Sequence, residues 1–291
     1  DRNCSPTLEI RRIIGKPLTK KEASNLAYFF VFNIVMEKVK AKKHLGQHFL
    51  KDESIASRIA DSLVGQTDVL EIGPGMGVLT KYLSNKQNIS SLKVVEIDTE
   101  SVAYLQCNFP QLSSNLIEGA FLKMKLDTLF PEPYAIMGNF PYNISNQILF
   151  KVFENRDTIT QVVGMFQKEV AERVVAQEGS KTYGILSVLL SAFYDREYLF
   201  TVGEEVFNPP PKVKSAVIRL VRNQVRELDC DQALFVKVVK TAFNQRRKML
   251  RSSLKPLGAN LENIEADLLT KRAEQLSTEQ FIHITKLLSD D

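Results

Sequence analysis

Tryptophan is absent from the 291-residue sequence, and cysteine and histidine each occur only three times. The cysteines, Cys4, Cys107 and Cys230, lie far apart with no CxxC spacing, so the sequence indicates neither a disulfide framework nor a zinc site. Sparse cysteine is typical of a reducing compartment, and we therefore expect a cytoplasmic protein that holds no metal. The sequence also lacks the roughly 20 consecutive apolar residues that a membrane-spanning helix needs, so we expect no membrane association.

Common hydrolase signatures are missing as well. Neither HExxH nor GxSxG occurs in the sequence, which excludes the zinc-protease and serine-hydrolase classes that those motifs define. No cysteine stands beside a proline in a predicted strand-end loop, which argues against methylation of a pyrimidine carbon through a covalent cysteine adduct.

The composition is that of a globular protein with a mild basic excess. Hydrophobic residues make up 44% and charged residues 25%, and 38 Lys and Arg oppose 34 Asp and Glu, for a net charge of +4. The length predicts about two domains. We expect an N-terminal extension outside the core over residues 1–37, an α/β domain over 38–223 and a small all-helical domain over 224–291. We expect a monomer.

Short apolar runs alternate with helical patterns along the first two thirds of the chain. Such runs are typical of buried parallel strands, and their alternation with helices predicts a doubly wound, Rossmann-like sheet. After residue 221 the apolar residues recur at helical spacing only. The seven predicted strands cover residues 69–73, 93–98, 115–119, 134–139, 160–166, 185–193 and 215–221.

A glycine-rich turn follows the first predicted strand and precedes a helix. It contains Gly73, Gly75 and Gly77, and glycines let a backbone turn tightly and approach a ligand closely. Glu96 ends the next strand and can accept hydrogen bonds from both hydroxyls of a ribose; the alternative is a solvated carboxylate. No Walker lysine accompanies the turn, so an adenosine without phosphates, as in S-adenosylmethionine, fits better than NAD or ATP.

The segment Asn139-Phe140-Pro141-Tyr142 ends the fourth predicted strand, at the edge where open α/β sheets bind ligands. The exocyclic amine of adenine is a poor nucleophile because its lone pair is delocalised into the ring. The Asn139 amide oxygen and the Pro141 carbonyl could accept its N–H bonds and favour the nucleophilic form, while Tyr142 stacks on the base. Alignment of the amine with a methyl donor is then the main catalytic task.

Two further segments suit a nucleic-acid substrate, although each has a simpler interpretation. Phe207 precedes a triple-proline run that is either a rigid linker or a support for a second aromatic face on the target base. Basic segments lie at residues 38–51 and 237–255; they are either solvated surface or phosphate contacts. The predicted RNA-binding residues are Lys42, Lys43, Lys212, Arg246, Arg247, Lys248 and Arg251.

With these residues the chain closely resembles the bacterial small-subunit ribosomal RNA adenine dimethyltransferases, the kasugamycin-susceptibility enzymes. The resemblance covers about Lys38 to the C-terminus. The matching segments are GQHFL (46–50), VLEIGPGMGVLT (69–80), VVEID (94–98), GNFPYNIS (138–145), FQKEVAERVVAQEGSKTYGILSVL (166–189), FNPPPKVKSAVIRL (207–220) and AFNQRRKMLRSSL (242–254).

The resemblance implies transfer of methyl groups from S-adenosylmethionine to the N6 amines of two adjacent adenosines in the 3'-terminal hairpin of small-subunit rRNA. It also implies a role in late assembly of the small subunit, with the immature subunit as partner. By position, His48 and Leu50 would cover the cofactor, Gly73 would lie against it, and Glu96 would hold its ribose. Asn139 would lie between the methyl donor and the target amine, and Tyr142 and Phe207 would hold the flipped base.

One position departs from the family pattern. Ala120 stands where the family has an aspartate that contacts the adenine amine of the cofactor. Alanine cannot accept this hydrogen bond, so we expect weakened cofactor binding. This keeps two alternatives open beside an active small-subunit enzyme: a catalytically weakened RNA-binding assembly factor, and a large-subunit rRNA adenine methylase.

Overall fold

The structure is a computed structural model that describes residues 39–258 and 260–289. The N-terminal extension predicted over residues 1–37 lies outside the described residues. Residues Ala41–Asp291 form one compact unit. No helix in the described part of the chain is long and apolar enough to cross a membrane.

A seven-stranded sheet forms the centre of this unit, and a two-stranded sheet lies beside it. The strands are β1 (Phe49–Leu50), β2 (Thr67–Ile72), β3 (Ile89–Glu96), β4 (Leu116–Glu118), β5 (Tyr134–Asn139), β6 (Ile159–Gln167), β7 (Tyr194–Val202), β8 (Phe207–Asn208) and β9 (Ser215–Arg222).

The strand order of the large sheet is β4-β3-β2-β5-β6-β9-β7. The pairs from β4 to β6 are parallel, and β9 is antiparallel to both β6 and β7. The direction of winding reverses between β2 and β5, and ligands of open α/β sheets bind at the carboxyl ends of the strands beside such a reversal. The Rossmann-like seven-stranded fold predicted from the sequence is therefore confirmed.

Helices cover both faces of the sheet, and the last of them ends at Ser289. Helix α1 begins where the side chain of Asp52 accepts hydrogen bonds from the N–H groups of Ser54 and Ile55, 2.9 and 3.2 Å away. The helices are α1 (Glu53–Asp61), α2 (Val78–Leu83), α3 (Thr99–Asn108), α4 (Ser145–Glu154), α5 (Lys168–Val175), α6 (Ile185–Ser191), α7 (Gln232–Asn244), α8 (Leu250–Ser253), α9 (Ala266–Thr270) and α10 (Thr278–Ser289).

The strand predicted over residues 185–193 was wrong, because residues Ile185–Ser191 form α6 and the strand is β7, which follows it. Residues 186–190 are buried all around the helix, so the run is apolar apart from its serines, and periodicity cannot distinguish a buried helix from a buried strand. Ser187 fixes the helical start, since its hydroxyl accepts from the N–H of Gly184 at 2.9 Å.

Two hydrophobic clusters lie on the two faces of the sheet. The larger one joins sheet residues such as Ile136 and Phe166 to Phe235 on α7 and Phe281 on α10. The smaller one lies beneath α1 and α2. The C-terminal helices thus share one core with the sheet, and the domain boundary predicted between residues 223 and 224 stays a prediction.

Candidate active site

A cavity of about 250 Å³ opens at the carboxyl ends of β2, β3 and β5. Its walls are the glycine-rich turn after β2, the loop after β4, the turn after β5, and a segment that we call the N-terminal arm, residues 42–50. The predicted site residues that line it are His48, Gly73, Gly75, Glu96, Ala120, Asn139, Pro141 and Tyr142. The fold thus brings eight residues from separate sequence segments to one cavity.

The glycine-rich turn needs its glycines for both conformation and space. Gly73, Gly75 and Gly77 have φ angles of 65°, 56° and 76°, values that other L-residues rarely adopt. A Cβ atom on Gly75 would lie 2.9 Å from the ring of Phe49, and one on Gly77 would lie 2.3 Å from the ring of Phe109. Glycine at these two positions therefore lets the turn pack directly against Phe49 of the arm and against Phe109.

Glu96 ends β3 and is 3% exposed. Its Oε2 accepts from the N–H of Gly75 at 3.0 Å, and its Oε1 accepts from the N–H groups of Ile97 and Asp98 at 2.8 and 2.9 Å. Burial raises the pKa of Glu96, although these three N–H groups oppose the shift. A carboxylate has about four acceptor positions, so this geometry leaves one position on Oε2 for a ribose hydroxyl.

Asn139 ends β5, and its side chain is oriented by the N-terminal arm. Its Nδ2 donates a hydrogen bond to the backbone carbonyl of His48, 2.9 Å away. Because a carbonyl only accepts, the amide group must turn its NH2 toward the arm, and its Oδ1 remains as the acceptor for a ligand. The acceptor role predicted for Asn139 requires this orientation and stays a prediction.

The carbonyl of Pro141 is not available to accept a hydrogen bond from a ligand. It accepts from the N–H of Ile144 at 3.3 Å and from the hydroxyl of Ser145 at 3.1 Å, so both of its lone pairs are occupied. The preceding Phe140 also lines the cavity, and within the described residues its carbonyl accepts no hydrogen bond. The second acceptor assigned to Pro141 from the sequence is therefore better placed at Phe140.

Tyr142 is held on two sides. Its hydroxyl forms a hydrogen bond with the hydroxyl of Ser215, which is fully buried at the start of β9. Its ring lies 5.2 Å from the ring of His48, whose Nδ1 is 2.8 Å from the carbonyl of Pro209. Burial raises the pKa of Tyr142, so it is a neutral ring. Nothing in the sequence pattern signalled Ser215, because its partner lies 73 positions away.

Leu50 and Phe207 pair with each other in the small sheet formed by β1 and β8. Leu50 is 5% exposed and Phe207 is 1% exposed, and both belong to the smaller hydrophobic cluster. Neither lines the large cavity. The expectation that Phe207 offers an aromatic face to a base does not match this structure, because the strand pairing turns its ring into the core.

Glu71 had no predicted role, yet it is the most unusual titratable residue near the cavity. Its side chain is 1% exposed on β2, and its Oε2 has no hydrogen-bond partner among the described residues. It lines a small cavity of about 30 Å³ together with Gly73, Leu50 and Asn139, which is room for about one water molecule. Burial raises the pKa of Glu71 to about 8. The sequence signal that could have marked Glu71 was an acidic residue inside the otherwise apolar run VLEIG.

The predicted RNA-binding residues fall into two groups. The ammonium of Lys42 contacts Asp98 and Glu100, and Arg246 donates to Glu274 at 2.9 Å and to the carbonyl of Lys181 at 2.7 Å. Both therefore have partners within the chain. The side chains in the second group are exposed; they are Lys43, Lys212, Arg247, Lys248 and Arg251.

A family model described as ribosomal RNA adenine dimethylase matches residues 38–290. The chain belongs to this family. Curated relatives named ribosomal RNA small subunit methyltransferase A support the assignment. The protein from Cytophaga hutchinsonii is 60% identical over 259 residues, covering 87% of this chain and 99% of its own length. That from Bacteroides fragilis is 58% identical over 254 residues, covering 86% and 93%.

Solved structures agree with the dimethylase fold. A dimethyladenosine transferase from Plasmodium falciparum superposes with a TM-score of 0.67 at 26% identity, over 84% of this chain and 97% of that one. The 23S rRNA methyltransferase ErmE gives a TM-score of 0.64 at 25% identity, over 83% and 99%. Membership confirms the predicted methyltransferase activity on ribosomal RNA and S-adenosylmethionine as its cofactor.

The cavity of this dimethylase fits an adenosyl cofactor at most positions. The glycine-rich turn offers a backbone that a ligand can approach closely, and Glu96 keeps one acceptor position for a ribose hydroxyl. Ala120 also lines the cavity, just before the short helical turn of residues 121–123. Its methyl group cannot accept a hydrogen bond, so the expected contact to the adenine amine is missing at this position.

Proposed function

We propose that this dimethylase methylates the N6 amines of two adjacent adenosines in the 3'-terminal hairpin of small-subunit rRNA. The observation that carries the proposal is that Asn139 lines the cavity whose wall holds Glu96 and the glycine-rich turn, with its NH2 group bound to the arm and its Oδ1 left as an acceptor. An acceptor for the target amine and a site for the cofactor's ribose thereby share one space. The relatives at 58–60% identity are named for the small subunit, which supports this choice of rRNA.

Two acceptors orient the target amine. In the first of the two transfers to each adenosine, the Oδ1 of Asn139 and the carbonyl of Phe140 accept its two N–H bonds, which directs the nitrogen lone pair toward the methyl donor. In the second transfer one N–H remains to be held by one of these acceptors. S-adenosylmethionine, held by Glu96 and the glycine-rich turn, supplies an electrophilic methyl group. Fixed alignment of this kind is worth several kcal/mol of barrier, about the scale of other well-oriented reactions.

Tyr142 holds the base by stacking. Its ring is fixed by His48 and Ser215, and a fixed aromatic ring binds a flipped base at little cost in side-chain entropy. No side chain needs to act as a strong base, because the nitrogen loses its proton readily once it has been alkylated. The proton passes to water along the same two acceptors.

The exposed basic residues serve as phosphate contacts in this proposal. Within the described residues, no ion pair neutralises the charges of Lys43, Lys212, Arg247, Lys248 and Arg251. We propose that they hold the rRNA of an immature small subunit, that the enzyme acts as a monomer in the cytoplasm, and that it contributes to late subunit assembly.

A second candidate function is that of an assembly factor with weakened catalysis. Ala120 in the cavity wall favours it, because loss of one hydrogen bond to the cofactor costs on the order of 1–3 kcal/mol. The acceptor geometry of Asn139 favours the enzyme.

Transfer of labelled methyl groups to unmethylated small and large ribosomal subunits separates these functions. The wild type and Asn139→Ala should be compared at low and very high S-adenosylmethionine. We expect incorporation into small subunits only, rising with cofactor concentration and lost in Asn139→Ala. Incorporation into large subunits would overturn the proposal, and subunit binding without incorporation at any concentration would establish the assembly-factor function.

A further inference from the structure

Asp98 is a buried carboxylate that lies outside the cavity wall but beside it. It is 2% exposed and follows Glu96 by two residues at the end of β3. Its Oδ1 accepts from the ammonium of Lys42, and its Oδ2 accepts from the hydroxyl of Ser101 at 2.9 Å. A buried carboxylate is costly unless it is paired and hydrogen-bonded. The ammonium of Lys42 is the cation that meets this requirement here.

Lys42 also organises the N-terminal arm. Its backbone N–H donates to the side-chain oxygen of Gln47 at 2.7 Å, and its carbonyl accepts from the N–H of Leu45 at 3.0 Å. Gly46 closes the turn with a φ of 65°. Since Leu45, Gly46 and Gln47 line the cavity, the cation that binds Asp98 is part of the same turn that walls the cofactor site.

The backbone of Asp98 contacts Glu96, whose carboxylate we place against the ribose of the cofactor. The backbone N–H of Asp98 donates to Oε1 of Glu96 at 2.9 Å. The loop that holds Asp98 in place therefore also holds Glu96 in the orientation that leaves its Oε2 available. One ion pair thus joins the arm on one side of the cavity to the cofactor-binding acid on the other.

We propose that Lys42 is a positioning residue for cofactor binding, which acts by anchoring the N-terminal arm to Asp98 and by fixing the loop that orients Glu96. Contact with RNA phosphate, the role predicted for Lys42 from sequence, is then left to its neighbour Lys43. This inference rests on the proposed function, because it takes the adenosyl cofactor as the ligand of the cavity.

The ionisation of both partners agrees with this geometry. Burial alone would raise the pKa of Asp98, but hydrogen bonds from Lys42, Ser101 and Gln47 hold it below its usual value. The hydrogen bond to Asp98 raises the pKa of Lys42, with a further contribution from Glu100, whose Oε1 lies 3.1 Å from the ammonium. The pair is therefore charged throughout the neutral range.

The matched comparison is Lys42→Met against Lys43→Met. The two variants remove the same charge from adjacent positions, but only Lys42 is paired with a buried carboxylate. The probe is S-adenosylhomocysteine, titrated calorimetrically into each full-length protein, and small-subunit binding is measured in parallel as a function of salt. We expect Lys42→Met to weaken S-adenosylhomocysteine binding about tenfold or more and Lys43→Met to change it less than about twofold.

Subunit binding should show the reverse order. Lys43→Met should lower subunit affinity and make its salt dependence shallower, because a phosphate contact has been lost. If Lys42→Met instead binds S-adenosylhomocysteine like the wild type and loses subunit affinity with a shallower salt dependence, the proposal is overturned. A wild type that binds no S-adenosylhomocysteine would overturn the proposed function as well, so the two failures are distinguishable.

A double substitution guards against a general loss of folding. Asp98→Asn removes the buried charge that Lys42 compensates, so adding Lys42→Met to Asp98→Asn should weaken S-adenosylhomocysteine binding by less than about twofold further. Lys42→Arg keeps the cation and should retain most of the affinity. Independent, multiplicative effects of Lys42→Met and Asp98→Asn on affinity would contradict a role that acts through this pair.

Discussion

The side-chain amide of Asn139 donates a hydrogen bond to the backbone carbonyl of His48, and these two residues lie 91 positions apart in the chain. The contact decides which end of the amide faces the cavity. A carboxylate in its place would set an acceptor against an acceptor, although it has almost the same shape. The orientation of the reacting amine thus depends on the arm as well as on the strand that bears Asn139.

Substitution of Asn139 should therefore lower the rate of methyl transfer even when cofactor and subunit are saturating. Asn139→Ala removes the acceptor, and Asn139→Asp keeps an acceptor but loses the donor to His48. We expect both to lower kcat on the order of 100-fold, because misplacement of the amine by about 1 Å has effects of that size. The measurement is methyl transfer at saturating cofactor and subunit. An Asn139→Asp variant with wild-type kcat would show that the contact to His48 does not matter.

Restoring a carboxylate at Ala120 should strengthen cofactor binding. Ala120→Asp places an acceptor in the cavity wall where the adenine amine is expected, and one such bond contributes on the order of 1–3 kcal/mol. Titration calorimetry with S-adenosylmethionine should show a dissociation constant roughly tenfold to a hundredfold lower. Ala120→Asn, which has a similar size and also accepts, is the matched comparison. Unchanged affinity in both variants would contradict the assignment.

Glu71 should give the protein a distinctive pH dependence. Burial raises its pKa from 4.5 to about 8, so the folded state retains a proton that the unfolded chain releases. Its contribution to stability is therefore complete below about pH 4.5 and is lost as the pH rises through 8. Relative to the wild type, Glu71→Gln should gain about 1.4 kcal/mol in unfolding free energy per pH unit between these values. Denaturant unfolding of both proteins from pH 5 to 9 measures this difference. A difference independent of pH would mean that Glu71 stays ionised.

Two neighbouring basic residues of the C-terminal part, Arg246 and Arg247, differ in exposure and in partners. Arg247 is exposed, whereas Arg246 binds Glu274 and the carbonyl of Lys181. Arg247→Ala should reduce the slope of log affinity against log salt for rRNA by about 1 and leave the melting temperature unchanged. Arg246→Ala should lower the melting temperature and change the salt slope less. Equal salt slopes for Arg247→Ala and the wild type would remove Arg247 from the RNA contacts.

Local chemistry explains what could be predicted from the sequence. The glycine-rich turn and Glu96 were predictable because each depends on a residue type placed at a strand end. The seven-stranded fold followed from the alternation of apolar runs with helices. The strand predicted at residues 185–193 was wrong because complete burial removes the polar face that marks a helix.

The remaining differences depend on contacts that the sequence motifs do not reveal, some of them local and others across long stretches of chain. The carbonyl of Pro141 is occupied by the helix that follows it, and Phe207 is turned inward by its pairing with Leu50. Lys42 and Arg246 lie in basic segments typical of phosphate contacts, and only the fold reveals their carboxylate partners. A charge pattern alone does not show which cations are already neutralised.

The small sheet of β1 and β8 has a consequence for the order in which the protein matures. It joins the arm to a segment near the end of the α/β region, and the contact of His48 with Pro209 spans 161 positions. During synthesis the glycine-rich turn and Asn139 emerge long before β8 does. The N-terminal arm cannot pair with β8 until that late segment has left the ribosome. All the residues that line the cavity, the last of which is Ile144, are therefore synthesised before β8 can hold the arm in place.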